Sequence, residues 1–334
     1  LAIEALFIPG GPRHMAAMNQ TAPGISMATQ AVSDARPGSA RLALAALIFG
    51  ACAIAFAPIL VRLTQTGPAA AGFWRLVFAL PLLVLPLARA PSQALAGGAW
   101  KWGLGAGVLF AADLAAWHYG VTFTSVTNAT VLPNLTPVVV TAAGWVLFRE
   151  RPTRGFLIAL TLAIGGAITM ALAKGSGGHG THPVLGDALS LLTALFYGLY
   201  FVIIRLGRKA ASTSALMVWS TLSGAPLMLL ASLGLHEQVL PQALSGLLAC
   251  LGLGVIHVCG QGAIAWALGR LPAATTSVVM LVQPVAAAAL AFFIFGERIV
   301  PLQAVGAVVV LTGVVLAQRG LARQVRADAK ETPQ

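Results

Sequence analysis

The chain has 334 residues, of which 58% are hydrophobic and only 9% charged, and its formal net charge is +11. Its mean hydropathy is +0.88. A soluble domain carries about 25% charged residues, so this chain lacks the polar side chains to cover a globular surface; composition excludes a soluble protein and points to a polytopic membrane protein.

Residues 1–40 are rich in Gly, Pro, Ser and Ala and contain no sustained apolar run. The opening "LAIEALFI" is too short for a signal-peptide core. This segment is expected to be a disordered N-terminal tail. Met15, Met18 and Met27 all precede the first span, so the segment is also expected to include residues ahead of the natural start.

Ten apolar runs follow, near 42–61, 69–88, 102–121, 125–148, 155–173, 185–206, 215–235, 244–268, 272–295 and 301–318. Each is about as long as a helix needs to be to cross roughly 30 Å of hydrocarbon. The runs are continuously apolar rather than alternating, which selects helices over a barrel. The fold class expected is all-α and integral to the membrane.

The positive charge is distributed by topology. Numbering the loops alternately, one set holds Arg13, Arg36, Arg41, Arg89, Lys101, Arg149, Arg151, Arg154, Arg205, Arg208, Lys209, Arg270, Arg319, Arg323, Arg326 and Lys330. The other set holds only Arg62, Lys174 and Arg298. By the positive-inside rule both termini are cytoplasmic, and the basic excess is no sign of a nucleic-acid partner. The lipid bilayer is the expected environment, with C-terminal arginines at its anionic headgroups.

The chain is written twice. "LTPVVVTAAGWVLFRER" (135–151) and "VQPVAAAALAFFIFGER" (282–298) share Pro, Phe, Glu and Arg at one spacing: a shift of 147 carries Pro137 onto Pro284, Glu150 onto Glu297, Ala159 onto Gly306 and Gly166 onto Gly313. A shift of 145 carries Trp74 onto Trp219 and Pro81 onto Pro226. Spans 1–5 therefore correspond to spans 6–10. Five is odd, so the second copy enters from the opposite side: two inverted five-helix repeats around a central cavity, an architecture suited to alternating access. The expected organisation is a tail (1–40), a first repeat (41–173), a second repeat (185–318) and a cytoplasmic C-terminal tail (319–334). Glu150 and Glu297 then end equivalent helices on opposite faces and are expected to order the turns that follow.

Ten spans in two halves, each closing on an apolar run and "ER", resemble the EamA-type branch of the drug/metabolite transporter superfamily. "FWRLVFALPLLVLP" (73–86) is similar to that family's second helix, and "AADLAAWHYGVTFTSVTNATVLPNLTPVVV" (111–140) to its third and fourth. The resemblance implies a secondary carrier of small organic solutes such as amino acids, metabolites or drug-like compounds, often moved outward, in a bacterial-type inner membrane. Pro133 departs from the repeat, since its counterpart in span 9 is Met280.

Ionisable groups deep in a span are costly and default to function or pairing. Only Arg75 and Asp113 qualify. Both lie in the outer half of their spans, about 9 and 12 Å from the outer end. Their counterparts are Ser220 and Gly260, so the second half lacks both charges together, as a pair would. Such a pair either pins spans 2 and 3 or handles substrate or protons. Asn134, Tyr197, His257 and Gln283 fall near mid-membrane, with Asn128, His118, Tyr200 and Gln261 one or two turns away. These eight are candidate substrate contacts; the alternative for each is a hydrogen bond between helices, typically worth about 0.6 kcal/mol.

Other motifs carry nothing. The glycosylation patterns at Asn128 and Asn134 lie within a span, and "GLGAG" (103–107) has no strand before it. No Walker lysine motif is present, so no nucleotide cofactor is expected. His179 and His182 supply too few ligands for a metal centre and read as a solvated linker. Cys52, Cys250 and Cys259 read as small apolar residues. Ala159 with Gly166, and Gly306 with Gly313, give spans 5 and 10 small faces suited to close packing or to a homodimer contact. An integral-membrane enzyme would need clustered carboxylates or histidines at a membrane face, and a channel a continuous polar lining. The reading is therefore a non-enzymatic carrier with a small-molecule substrate and no cofactor or metal.

Overall fold

The computed structural model describes residues 37–124, 132–149, 152–173, 182–295 and 299–331. The N-terminal tail up to residue 36, Asn128, Glu150, Glu297, Arg151, Arg298, Lys174 and His179 lie outside them. Among the described residues the chain is helical and contains no strand.

The helices are α1 (Pro37–Ile54), α2 (Ala57–Leu63), α3 (Pro68–Ala88), α4 (Ala99–Phe123), α5 (Thr136–Phe148), α6 (Arg154–Ala173), α7 (Pro183–Gly207), α8 (Thr213–Gly234), α9 (Leu244–Ile256), α10 (Gly262–Leu268), α11 (Ala273–Val279), α12 (Val282–Phe295) and α13 (Pro301–Glu331). Among the described residues eight spans are long and apolar enough to cross a membrane: Ala40–Val61, Pro68–Ala88, Arg154–Ala173, Pro183–Gly207, Thr213–Gly234, Leu244–Leu268, Ala273–Ile294 and Pro301–Gly320. The two other runs read from the sequence behave differently. Helix α4 has 25 residues but is diluted by Lys101, Asp113 and His118. The run 125–148 yields a shorter apolar helix, Leu132–Leu147.

Proline sets where helices start and break. It occupies one of the first two positions of α2, α3, α5 and α7, where its missing N–H costs nothing. Within a span its ring displaces the carbonyl four residues back. Pro58 thus separates α1 from α2 just after Ile54, and Pro284 separates α11 from α12 at Met280. Pro137 acts on Pro133, and here the chain takes a 3-10 turn, Leu132–Leu135, before α5 begins. Pro133 and Met280 hold equivalent places, so both repeats break at one position although only one has a second proline there. Thr136 Oγ1 donates to the Pro133 carbonyl at 2.8 Å and satisfies part of the broken ladder.

The repeats interlock. Helix α3 packs on α8 and α9, α4 on α7 and α8, and α6 on α13. In the last contact the small faces meet each other within the chain. A Cβ on Gly166 would stand 2.7 Å from the Gly306 carbonyl oxygen, and one on Gly313 would stand 2.7 Å from the Ala159 carbonyl oxygen. A homodimer through these faces would have to displace that contact. Large apolar side chains such as Phe49, Leu85, Val146, Phe293 and Val308 point outward, as lipid-facing groups do.

Two tryptophans tie the repeats at opposite ends. Trp74 Nε1 on α3 donates to the Val239 carbonyl at 2.8 Å, in the loop where α8 ends. Trp219 Nε1, near the start of α8, donates to the Ala94 carbonyl, also at 2.8 Å. The 145-residue shift that maps Trp74 onto Trp219 also maps Ala94 onto Val239. One bond therefore occurs twice, each repeat reaching into the other's loop, with the greater part of α8 between.

The helix starts beside these tryptophans are capped unequally. Ser212 caps α8 locally, accepting from Ala215 N–H at 3.2 Å. Its counterpart before α3 is Gly67, which has no side chain to offer. Glu237 supplies the cap from the other repeat: its carboxylate accepts from Ala70 N–H at 3.0 Å and Ala69 N–H at 3.3 Å, and the Tyr119 hydroxyl donates to it. A carboxylate at a helix N-terminus satisfies orphan donors and opposes the dipole.

Trp74→Phe and Trp219→Phe each remove one such bond and keep an aromatic ring. Each is expected to lower the stability of the detergent-purified protein by about 1 kcal/mol. The bonds lie far apart, so the double variant should show the sum of both losses. Thermal or denaturant unfolding measures this, and a loss confined to one site would show that the bonds are not equivalent.

Candidate functional site

Phe110, an aromatic residue in an apolar run, organises the buried polar groups. The Arg75 guanidinium lies 5.4 Å from its ring centre, within cation–π range. On its other sides the ring packs against Tyr200 at 5.2 Å and His257 at 5.3 Å. Tyr197 stacks on Tyr200, almost parallel at 5.9 Å, and its hydroxyl donates to Gln261 Oε1 at 3.4 Å. Asp113 sits three residues beyond Phe110 and so shares its face of α4. Arg75, Phe110, Asp113 and His118 come from the first repeat; Tyr197, Tyr200, His257 and Gln261 come from the second.

Local structure aims these side chains. His257–Gln261 is a π-helical turn between α9 and α10, and its first and last residues both reach the cluster. Such an insertion rotates the following helix and is frequent at functional sites. Tyr197, Tyr200 and Phe201 are spaced three and four apart on α7 and form one aromatic face.

The groups are deeply buried: 6% of Arg75 is exposed, 7% of Asp113, 6% of His118, and 1% each of Tyr200, His257 and Gln261. Asp113, His118, Tyr197, Tyr200 and His257 all lie within electrostatic reach of Arg75. No hydrogen bond or ion pair within 4.0 Å joins Arg75 to Asp113 among the described residues. Their attraction is a coupling at longer range, not the direct ion pair that matched depth suggested. Arg75 Nε, Gln261 Nε2 and all four ring nitrogens of His118 and His257 have no hydrogen-bond partner among the described residues. Buried polar groups are almost always paired, so such a concentration marks a place where something else supplies partners.

Two further candidates lie on other elements. Gln283 is half-buried at the start of α12, and among the described residues no hydrogen bond joins its side chain to the cluster. Asn134 is half-buried on the 3-10 turn before α5. His182, expected in a solvated linker, rests edge-on against Phe123 at 5.8 Å. Among the described residues no group of three or more His, Cys, Asp or Glu side chains could hold a metal ion.

Sequence reasoning missed Phe110, although a signal existed: the 147-residue shift maps it onto His257, so the two rings in contact occupy equivalent positions. It also missed Glu237, in the loop after α8, whose partners lie 167 and 168 residues away.

A family model for EamA-like transporters matches residues 40–172 and again residues 184–318. The chain belongs to the EamA-like transporter family. The two matches coincide with the two copies seen in the fold, so the EamA unit is present twice. The uncharacterized protein PA1977 of Pseudomonas aeruginosa is 31% identical over 236 residues, which is 70% of this chain and 77% of that protein. The crystal structure of another protein, 18% identical, superimposes with a TM-score of 0.72 over 86% of this chain and 99% of its own; it shows the fold alone. As an EamA-like transporter the chain is a multi-pass membrane protein, and its buried polar cluster stands where the two EamA units meet.

Neutralising one deep charge strands the other in a buried site, whereas removing both does not. Asp113→Asn and Arg75→Gln are therefore each expected to lower thermal stability, and the double variant should lose less than the sum. Melting of the four purified proteins tests the coupling, and strict additivity would reject it.

Proposed function

We propose that the chain is a secondary active transporter of small organic solutes, with ten spans in two inverted repeats, and that it works by alternating access. The substrate contacts are the cluster of Arg75, Asp113, His118, Tyr197, Tyr200, His257 and Gln261. One observation carries this reading: a buried set of polar groups with unmet hydrogen bonds, drawn from both repeats. A solute held between two bodies is released to one side when they part there and to the other when they part opposite. Burial of the cluster fits this, because no solute reaches it unless the helices separate. Asn128, Asn134 and Gln283 belong to the reading as further contacts. The setting is the inner membrane with both termini cytoplasmic, as the Lys/Arg asymmetry supports, and export is the direction the family resemblance favours.

The carrier reading is tested in proteoliposomes. Unlabelled solute trapped inside should drive transient accumulation of labelled solute from outside, and saturation should follow as outside solute rises. Uptake without counterflow or saturation would indicate a channel.

Orientation is tested separately. His236 is exposed in the loop after α8, which the proposed topology puts outside. In a background without Cys52, Cys250 and Cys259, His236→Cys should react with a membrane-impermeant thiol reagent in intact cells. Reaction only after permeabilisation would reverse the orientation.

A further inference from the structure

The cluster's unmet hydrogen bonds are mostly of one kind. Arg75 Nε and Gln261 Nε2 are donors, and each neutral imidazole of His118 and His257 brings an N–H as well. The two remaining ring nitrogens are the only acceptors among them. Asp113, the one carboxylate present, does not meet the demand: it makes no ion pair with Arg75 among the described residues. A fixed guanidinium among unpartnered N–H groups calls for a ligand with oxygen acceptors and negative charge. The neighbouring walls are flat and apolar, formed by Phe110, the stacked Tyr197 and Tyr200, and Phe201, which meets Tyr197 edge-on at 4.7 Å.

We infer that the site selects organic carboxylates with a flat or apolar body, and this rests on the reading of the cluster as the substrate site. The carboxylate takes the Arg75 guanidinium, whose planar fork matches two oxygens, with Gln261 Nε2 and the His257 N–H completing its acceptor positions; His118, eight residues or about 12 Å beyond Phe110 along α4, is left for polar groups on the ligand's body. The body lies against the tyrosine pair. Asp113 is then Arg75's counter-charge when the site is empty. It cannot serve as the anchor for an ammonium group, because a cation there would face the guanidinium.

Three probes of equal shape test the charge: benzoate, benzamide and benzylamine, added to the full chain purified in detergent. Ligands that bind the folded state raise the melting midpoint by mass action. Benzoate is expected to raise it by about 2 °C or more, with smaller or no shifts from the other two. Arg75→Gln should abolish the benzoate shift and Arg75→Lys should restore part of it. If Arg75→Gln does not fold, Gln261→Leu serves, with a reduced benzoate shift expected. A larger shift with benzylamine or benzamide overturns the carboxylate assignment but leaves the cluster as a binding site. No shift with benzoate, in a protein that shows counterflow with other solutes, overturns the assignment and leaves the carrier standing. Loss of counterflow with every solute is the separate failure of the carrier reading.

Discussion

Hydrocarbon offers no hydrogen bonds. Inside a membrane every backbone and side-chain polar group must find its partner in the protein or in whatever the protein holds. The helices obey this, and so do several of their small hydroxyl residues: Thr141 donates to the Pro137 carbonyl, Thr169 to Gly165, Ser190 to Gly186 and Thr312 to Val308, each one turn back. Helix ends obey it as well, through Ser212 at α8 and the distant Glu237 at α3. Against that background the nitrogens of Arg75, His118, His257 and Gln261 stand out. Other unpartnered atoms, such as the hydroxyls of Thr221, Ser232 and Thr276, belong to residues outside this cluster; these six nitrogens occur together.

The duplication explains how such a place arises. Two copies of one unit meet, and at the cluster equivalent positions touch. Phe110 and His257 are one such pair. The copies have since diverged where it matters for chemistry. The first holds both deep charges, with Ser220 and Gly260 in their places in the second; the second contributes the tyrosines and the π-helical turn. The frame remains symmetric while the site does not.

Much of this was legible in the sequence because it depends on composition and spacing. Lack of charge implied a membrane, the twofold text implied two copies, and depth singled out Arg75 and Asp113. What stayed hidden depends on three-dimensional register. Phe110 in an apolar run looks like any core aromatic until its neighbours are known. Hydropathy is blind to the extra residue of a π-helical turn, so the turn that carries His257 and Gln261 left no mark, although their spacing of four already put them on one face. The run 125–148 read as one span, since apolarity outweighed the paired prolines Pro133 and Pro137, beside which Leu132–Leu135 form a 3-10 segment. Glu237 carried no local sign of its role because the helix it caps belongs to the other copy.

The exchange of partners between copies has a consequence for biosynthesis. Trp74 must wait 165 residues for Val239, and the start of α3 waits as long for Glu237. At about 5–20 residues per second, translation needs on the order of ten seconds or more to deliver them. Throughout that interval the nascent first copy sits in the bilayer with one helix end uncapped and an indole N–H unanswered. Its polypeptide can insert, but it cannot finish. Assembly of the early helices is therefore timed by the ribosome's progress through the late ones, and the first half stays exposed to membrane quality control until the loop after α8 arrives.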